Sequence, residues 1–420
     1  MIRVIASGCM TQSVACESFP LPVLRGRVRV GASWAARSEA KLPPQPSPGI
    51  PGAGEKNHFR LCRAFTAWLM LLFLACGITC AEPAAPIQQT IVTRGEGHFP
   101  VAVRLRDNRI AVVLRGGGPH LSIHGRLDIV FSSDEGKTWR KPAVVASDPA
   151  ADVRNPAFGQ ASDGSLVVAY YRTTNYDENG KYNTSLNKPV NTWVTRSGDD
   201  GKTWSKPTEI DVSDIGWASP FGRMITRPDG TMFANFYGGA IKTTDQAVAK
   251  SSVSYLYRST DQGRTWKHYS TISPPGFDET GLIVLPSGRW LAGLRSSGKS
   301  AHLSLSHSDD DGRTWSKPEA LSPPDFYTAD FLLLPDQRIL LTMNRRSSPF
   351  GVEAVVGNRD GNFDWKNAFT VSEDAANPDC GYPSSVMLKD GRVITFFYSA
   401  TSRSEPSLGI HCAALTYRPE

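Results

Sequence analysis

Past residue 82 the chain is nearly without cysteine. Five of its seven cysteines (Cys9, Cys16, Cys62, Cys76, Cys80) come earlier, and only Cys380 and Cys412 follow. At most one disulfide is left to the main part of the chain, with two buried thiols as the alternative. Helical periodicity is also lacking: no segment after residue 82 has one. Nor is there an excess of one charge. Residues 1–81 carry nine basic and three acidic side chains, which is the whole net charge of +6; the rest has 37 of each and no basic run. The basic composition therefore gives no reason to expect a nucleic-acid partner. What the chain does have is 40% apolar and 10% aromatic residues, ample for a packed core, and 37 Gly and 30 Pro, which point to many turns.

The single long apolar run lies near the start. Residues 1–55 read as an extension, disordered or wrongly assigned, with a Pro/Gly-rich stretch at 41–54. Residues 56–81 have the order of a secretory signal: Lys56, Arg60 and Arg63, the apolar run Ala64–Ala75, then small residues before Glu82. A membrane anchor is the competing reading, but the run is marginal for a span and no stable one is expected. Phe73-Leu74-Ala75-Cys76 also leaves a lipid anchor open. The expected location is secreted or periplasmic, with residues 82–420 as the folded domain.

That domain is repetitive. The octet S-x-D-x-G-x-T-W occurs at Ser132–Trp139, Ser197–Trp204, Ser259–Trp266 and Ser308–Trp315, with a degenerate copy at Asp360–Trp365. Its chemistry is structural: the Asp accepts backbone N–H groups within its own turn, the Gly takes a left-handed conformation, and the Trp is buried. A second repeat consists of six hairpins, with turns at Asp107-Asn108, Asp163-Gly164, Asp229-Gly230, Ser287-Gly288, Asp336-Gln337 and Asp390-Gly391. Six similar all-β units predict a six-bladed β-propeller.

If each hairpin runs away from one face and returns, its two outer ends meet there. His98, Asn155, Ser219, Glu279, Thr328 and Tyr382 precede the turns; Arg115, Arg172, Tyr237, Arg295, Arg345 and Tyr398 follow them. Four arginines at equivalent positions predict a cationic bowl, and the planar guanidinium suits carboxylates.

The octets resemble the Asp-boxes, or BNR repeats, of sialidases (neuraminidases) and their relatives, over about residues 90–420. The resemblance implies a glycoside hydrolase releasing a terminal sialic acid or related anionic sugar, with an Arg triad for the sugar carboxylate, a Tyr nucleophile with a Glu partner, and an Asp acid/base. Glu279 and Arg295, sixteen residues apart, resemble the family's Glu and second triad Arg. Arg345 or Arg346 resembles the third, and Tyr382 in GYPSSV the nucleophile. A Tyr suits the chemistry because the substrate's own carboxylate would repel a carboxylate nucleophile, and Glu can take the phenolic proton.

The first unit departs from the family. His98-Phe99-Pro100 stands where Arg-Ile-Pro is expected, so Arg115 is the stand-in for the missing triad Arg. Asp128 is the only carboxylate near the loop that should carry the acid/base; His120 or His124 is the alternative acid. His120 and His124 could also ligate a metal, but the sequence offers no third ligand, and no metal or cofactor is expected. Arg172, His98 and His124 complete the expected substrate contacts, and a monomer is expected. Two rivals stay open: a hydrolase or lyase for uronic-acid glycans, and a non-catalytic glycan-binding propeller. Gly293–Ser300 fits a phosphate-loop pattern, but a strand-like segment follows it instead of a helix.

Overall fold

Strands Ile110–Gly116 and Arg126–Ser132 show how this chain builds its core. Ile110, Val112 and Leu114 pack to one side and Ala111 and Val113 to the other, because successive side chains of a strand point to opposite faces. Both faces are buried, so the apolar run is continuous rather than alternating. Full burial of each Ile, Val or Leu side chain here contributes about 1.5–3 kcal/mol relative to exposure.

The computed structural model describes residues 88–239, 251–296 and 301–419. The extension at 1–55 and the signal at 56–81 lie outside the described residues. Strand β1 (Gln88–Arg94) comes first. Four-strand sets follow: β2 (His98–Arg104), β3 (Ile110–Gly116), β4 (Arg126–Ser132) and β5 (Ala143–Ala146); β6 (Asp152–Gln160), β7 (Leu166–Thr173), β8 (Val190–Ser197) and β9 (Thr208–Ile210); β10 (Ala218–Thr226), β11 (Met232–Gly238), β12 (Val253–Ser259) and β13 (Lys267–Thr271); β14 (Phe277–Val284), β15 (Trp290–Ser296), β16 (Leu303–Ser308) and β17 (Glu319–Ala320); β18 (Phe326–Leu333), β19 (Ile339–Arg345), β20 (Phe350–Gly357) and β21 (Phe369–Ala375). The last set is β22 (Cys380–Met387), β23 (Val393–Ser399) and β24 (His411–Tyr417), whose outer edge β1 completes. Among the described residues there are three single-turn 3₁₀ helices and no α-helix, and no helix is long and apolar enough to cross a membrane.

The fold is all-β and propeller-like. The sheets are not six separate ones, however. Four have four strands, and one of eight joins β6–β9 to β10–β13. The fusion is local: Gly222 and Arg223 of β10 pair in parallel with Ala157 and Phe158 of β6. The first strands of the sets touch in a closed cycle, β2 to β6, β10, β14, β18, β22 and back to β2. The large hydrophobic clusters each span two consecutive sets, as where Val386 and Phe396 meet Ala102 and Val112.

The octets follow the third strands. In each, the Ser hydroxyl donates to the Asp, whose carboxylate also accepts the Thr backbone N–H and hydroxyl; for Asp261 these distances are 2.7, 2.9 and 2.6 Å. The residue before the Gly is left-handed as well (Glu135, Asp200, Gln262 and Asp311, φ 62–66°). All six hairpin turns also hold a left-handed second residue. Because strands alternate in direction, octets and hairpin turns lie at one end of the sheets and the starts of the first strands at the other. The phosphate-loop pattern leads into strand β16, as its alternation predicts. Cys380 and Cys412 are buried free thiols. Strand β23 lies between theirs, putting them roughly 10 Å apart, too far for a disulfide.

Candidate active site

Every first strand breaks register with its neighbour near its start: between His98 and Val101, Arg154 and Ala157, Phe221 and Ile225, Phe277 and Thr280, Tyr327 and Ala329, and Gly381 and Ser384. Such bulges re-aim side chains. Four of them force a bulky or branched residue into left-handed backbone: Phe99 (φ 54°), Asn155 (46°), Thr328 (39°) and Tyr382 (54°). Strain of this kind costs about 1–3 kcal/mol per residue and gathers at functional sites. A central cavity is lined by residues of all six first strands, among them Phe99, Asn155, Phe221, Leu282, Asp330 and Tyr382.

Tyr382, Glu279 and Arg295 come together at this end. The Tyr382 hydroxyl lies 2.8 Å from Glu279 Oε1 and 3.0 Å from Oε2, and donates to the carboxylate. Arg295 Nη1 donates to Glu279 Oε2 and lies 3.3 Å from the Tyr382 hydroxyl. Burial, then the Glu279 charge, push the Tyr382 hydroxyl well above the usual phenol range, although Arg295 and Arg346 pull the other way. The resting phenol is neutral, so attack by its oxygen requires a base, and Glu279 is in hydrogen-bond contact. Phe99 packs on the Tyr382 ring, centre to centre 4.8 Å.

The other expected arginines are engaged elsewhere. Arg115 is fully buried; it pairs with Asp152 at 2.8 Å and donates to the carbonyls of Pro119 (2.7 Å) and Ser122 (3.2 Å). It anchors the loop after β3 and is not free to receive a sugar carboxylate. Arg172 pairs with Asp148 and covers the Trp193 ring. Arg345 donates to Pro349 O at 2.7 Å and pairs with Glu353. Its neighbour Arg346 is the one that turns inward, 4.9 Å from the Tyr327 ring centre and 5.9 Å from that of Tyr382.

Asp128 does not join Tyr382. It sits on the third strand of its set, two strands out from β2, facing Glu96 and held by Arg126 Nε at 2.9 Å. Burial raises the pKa of Asp128, and burial and then the Asp128 charge raise that of Glu96. His124 is exposed. His98 is fully buried, in ring contact with Phe99, His120 and Tyr398. Burial, then the His120 charge, lower its pKa to about 3, so it is neutral and supplies no triad cation.

Sequence reasoning missed Arg154, Asp278 and Asp379. Arg154 lies 5.8 Å from the Phe99 ring centre, with Asp152 at 3.3 Å and its Nε unpaired. Asp278 lies 3.6 Å from Arg295 Nε, and burial raises it to about 7 against the pull of Arg295. Asp379 hydrogen-bonds His120 Nδ1 at 2.8 Å and accepts from the Tyr398 hydroxyl at 2.6 Å. Arg154 and Asp278 each precede a residue already singled out by its place in a hairpin, and their signal was that one-residue offset within a bulge.

The profile of a family described as "BNR repeat-like domain" matches residues 101–395. No curated protein matches the chain. Among solved structures, a protein of unknown function from Dyadobacter fermentans is 22% identical, with 81% of this chain and 100% of that one covered and a TM-score of 0.68. A Hadza microbial sialidase is 16% identical (77% and 66% covered, TM-score 0.59). The NanB sialidase from Streptococcus pneumoniae is 15% identical (80% and 71% covered, TM-score 0.59). At these identities the likeness speaks for the fold.

Proposed function

The chain belongs to the BNR repeat-like family of the sialidase superfamily, and on that premise we propose that it is an exported, six-bladed glycoside hydrolase removing a terminal sialic acid or related anionic sugar from glycans. One observation carries the reading: the buried Tyr382 hydroxyl donates to Glu279 beside the Arg295 guanidinium. Tyr382 Oη attacks the anomeric carbon as the bond to the leaving oxygen breaks, and Glu279 takes the phenolic proton. Arg295, Arg346 and Arg154 hold the sugar carboxylate. Asp278, protonated near neutral pH, gives its proton to the leaving oxygen. Asp278, now a carboxylate, takes a proton from water, which attacks the anomeric carbon of the glycosyl–Tyr382 aryl ketal; the bond to Tyr382 Oη breaks and Glu279 returns its proton to that oxygen, releasing the sugar and restoring the phenol.

The test is release of fluorophore from a sialoside by the purified protein. The wild type turns over and Tyr382→Phe does not, with melting temperatures within a few degrees of each other. Activity retained in Tyr382→Phe removes that residue from the mechanism. The neutral His98 at the missing triad position favours a second reading, action on uronic-acid glycans. Turnover of those substrates without sialoside release supports it, and an ultraviolet-absorbing unsaturated product distinguishes lyase from hydrolase.

A further inference from the structure

Beside Tyr382 stands a polar cluster that this chemistry does not use. His98 is fully buried, and neither ring nitrogen has a hydrogen-bond partner. An unpaired buried polar group costs about 1–3 kcal/mol, so the position calls for an occupant. His120, from the loop that Arg115 anchors, and Asp379, just before β22, close around it. One ligand atom from each of His98, His120 and Asp379 lies within 4.8 Å of the other two. We propose that His98, His120 and Asp379 bind a divalent transition-metal ion, with zinc as the best-matched ion.

Two imidazoles and one carboxylate are a borderline donor set suited to zinc. Bond lengths of about 2.0–2.2 Å put ligand atoms roughly 3.4 Å apart in a tetrahedron. The present spread closes to that by a small swing of His120, which sits on a loop. The supporting contacts are already built. The Tyr398 hydroxyl fixes the Asp379 carboxylate at 2.6 Å, as groups behind a metal ligand do. Arg115 holds the His120 loop through the carbonyls of Pro119 and Ser122. Binding exchanges the His120–Asp379 hydrogen bond for two metal bonds.

The site is open on one side. His98 closes its floor, while the side chains of His120 and Asp379 are about one-third exposed. That leaves a coordination position free for an oxygen ligand, as in catalytic rather than structural sites. Phe99 and Tyr398 lie between the cluster and Tyr382: the Phe99 ring is 5.1 Å from His120 and 4.8 Å from Tyr382, and the Tyr398 ring 5.0 Å from His98 and 5.8 Å from Tyr382. A dication there restores positive charge in the unit that lacks its triad Arg, and it takes one oxygen of the sugar carboxylate. That use rests on the hydrolase reading; metal binding itself does not.

The experiment is calorimetric titration of the chelator-stripped, full-length protein with zinc chloride, with metal analysis after dialysis and cobalt substitution read by visible absorption. The expected result is one equivalent per chain, bound at about 10 μM or tighter, and a raised melting temperature. His120→Ala and Asp379→Ala each weaken binding at least about tenfold. Cobalt gives a visible band in the wild type that both variants lose. Absence of saturable binding overturns the proposal, as does equal binding by the His120→Ala/Asp379→Ala double variant. Zinc binding with no sialoside turnover keeps the metal site and defeats the sialidase reading; turnover with no zinc binding does the reverse.

Discussion

The two ends of the sheets use the same residue type in opposite ways. At the octet end, Asp134, Asp199 and Asp310 are held down to about 2; Asp199 and Asp310 owe this first to their Thr hydroxyls, while Asp134 overcomes burial by the same bonds. At the start of the first strands, burial raises Asp278 to about 7, and midway along another first strand it raises Asp330 to about 6. The octets repeat one solved problem four times, with every polar atom of the Asp satisfied inside its own turn. The other end repeats only the bulge. Its side chains differ from set to set, leave His98 and Arg154 Nε unpaired, and strain the backbone at four positions. Repetition marks the stabilising end, and departure from repetition marks the candidate site.

Breaking the buried pair beneath the site should have the largest effect on stability. Arg115→Ala removes the closer cation of the enclosed Asp152, leaving it Arg154 at 3.3 Å, and also frees the loop after β3; we expect a loss of about 3–5 kcal/mol in urea unfolding. If Arg115 held substrate instead, the loss would appear in KM and leave the unfolding midpoint in place. A change at the octet end sharpens the contrast. Asp261→Ala removes acceptors for Thr265 and Ser259 and should cost roughly 1–3 kcal/mol. Its kcat per folded molecule should match the wild type; a selective fall in kcat would place the octets in catalysis.

The pH dependence separates the ends further. A carboxyl raised in the folded state contributes stability that is full below its unfolded value and lost as pH rises through its folded value. For Asp278 that window runs from about 3.8 to about 7. Asp278→Asn should flatten the decline of stability across it and erase the part of the kcat–pH profile set by the acid. An unchanged melting-temperature–pH curve would show that Asp278 is ordinary in the folded state. The smallest effect expected is from reductant: with Cys380 and Cys412 as free thiols, dithiothreitol should leave the melting temperature unmoved, whereas a drop of several degrees would reveal a disulfide.

Much of the fold was legible in the sequence. The octets and six hairpin turns announced an all-β repeat, because left-handed turn positions and internally satisfied Asp side chains are local requirements. The sheet arrangement was not: neither the fusion through Gly222 and Arg223 nor the pairing of β1 with β24 leaves a local pattern, since both join segments far apart in sequence. The candidate site divides in the same way. Tyr382, Glu279 and Arg295 were found from hairpin position and family resemblance. Arg345 and Arg346 show the limit: they differ by one residue, and one step along a strand turns a side chain to the other face. One meets Glu353 and the other Tyr382. Arg115 and Asp128 failed for a related reason, because a charge's place along a strand does not tell which buried counter-charge awaits it.

By itself, then, the sequence determined the repeating turns, the two-faced apolar strands and the end of the sheets at which unlike residues gather, since each follows from local geometry and periodicity. Tertiary structure alone decided which arginine turns inward, that burial raises Asp278 to about 7, and that His98, His120 and Asp379 meet across 281 residues of chain. Those outcomes depend on burial and on partners distant in sequence, and ring closure of the strand sets is what supplies both.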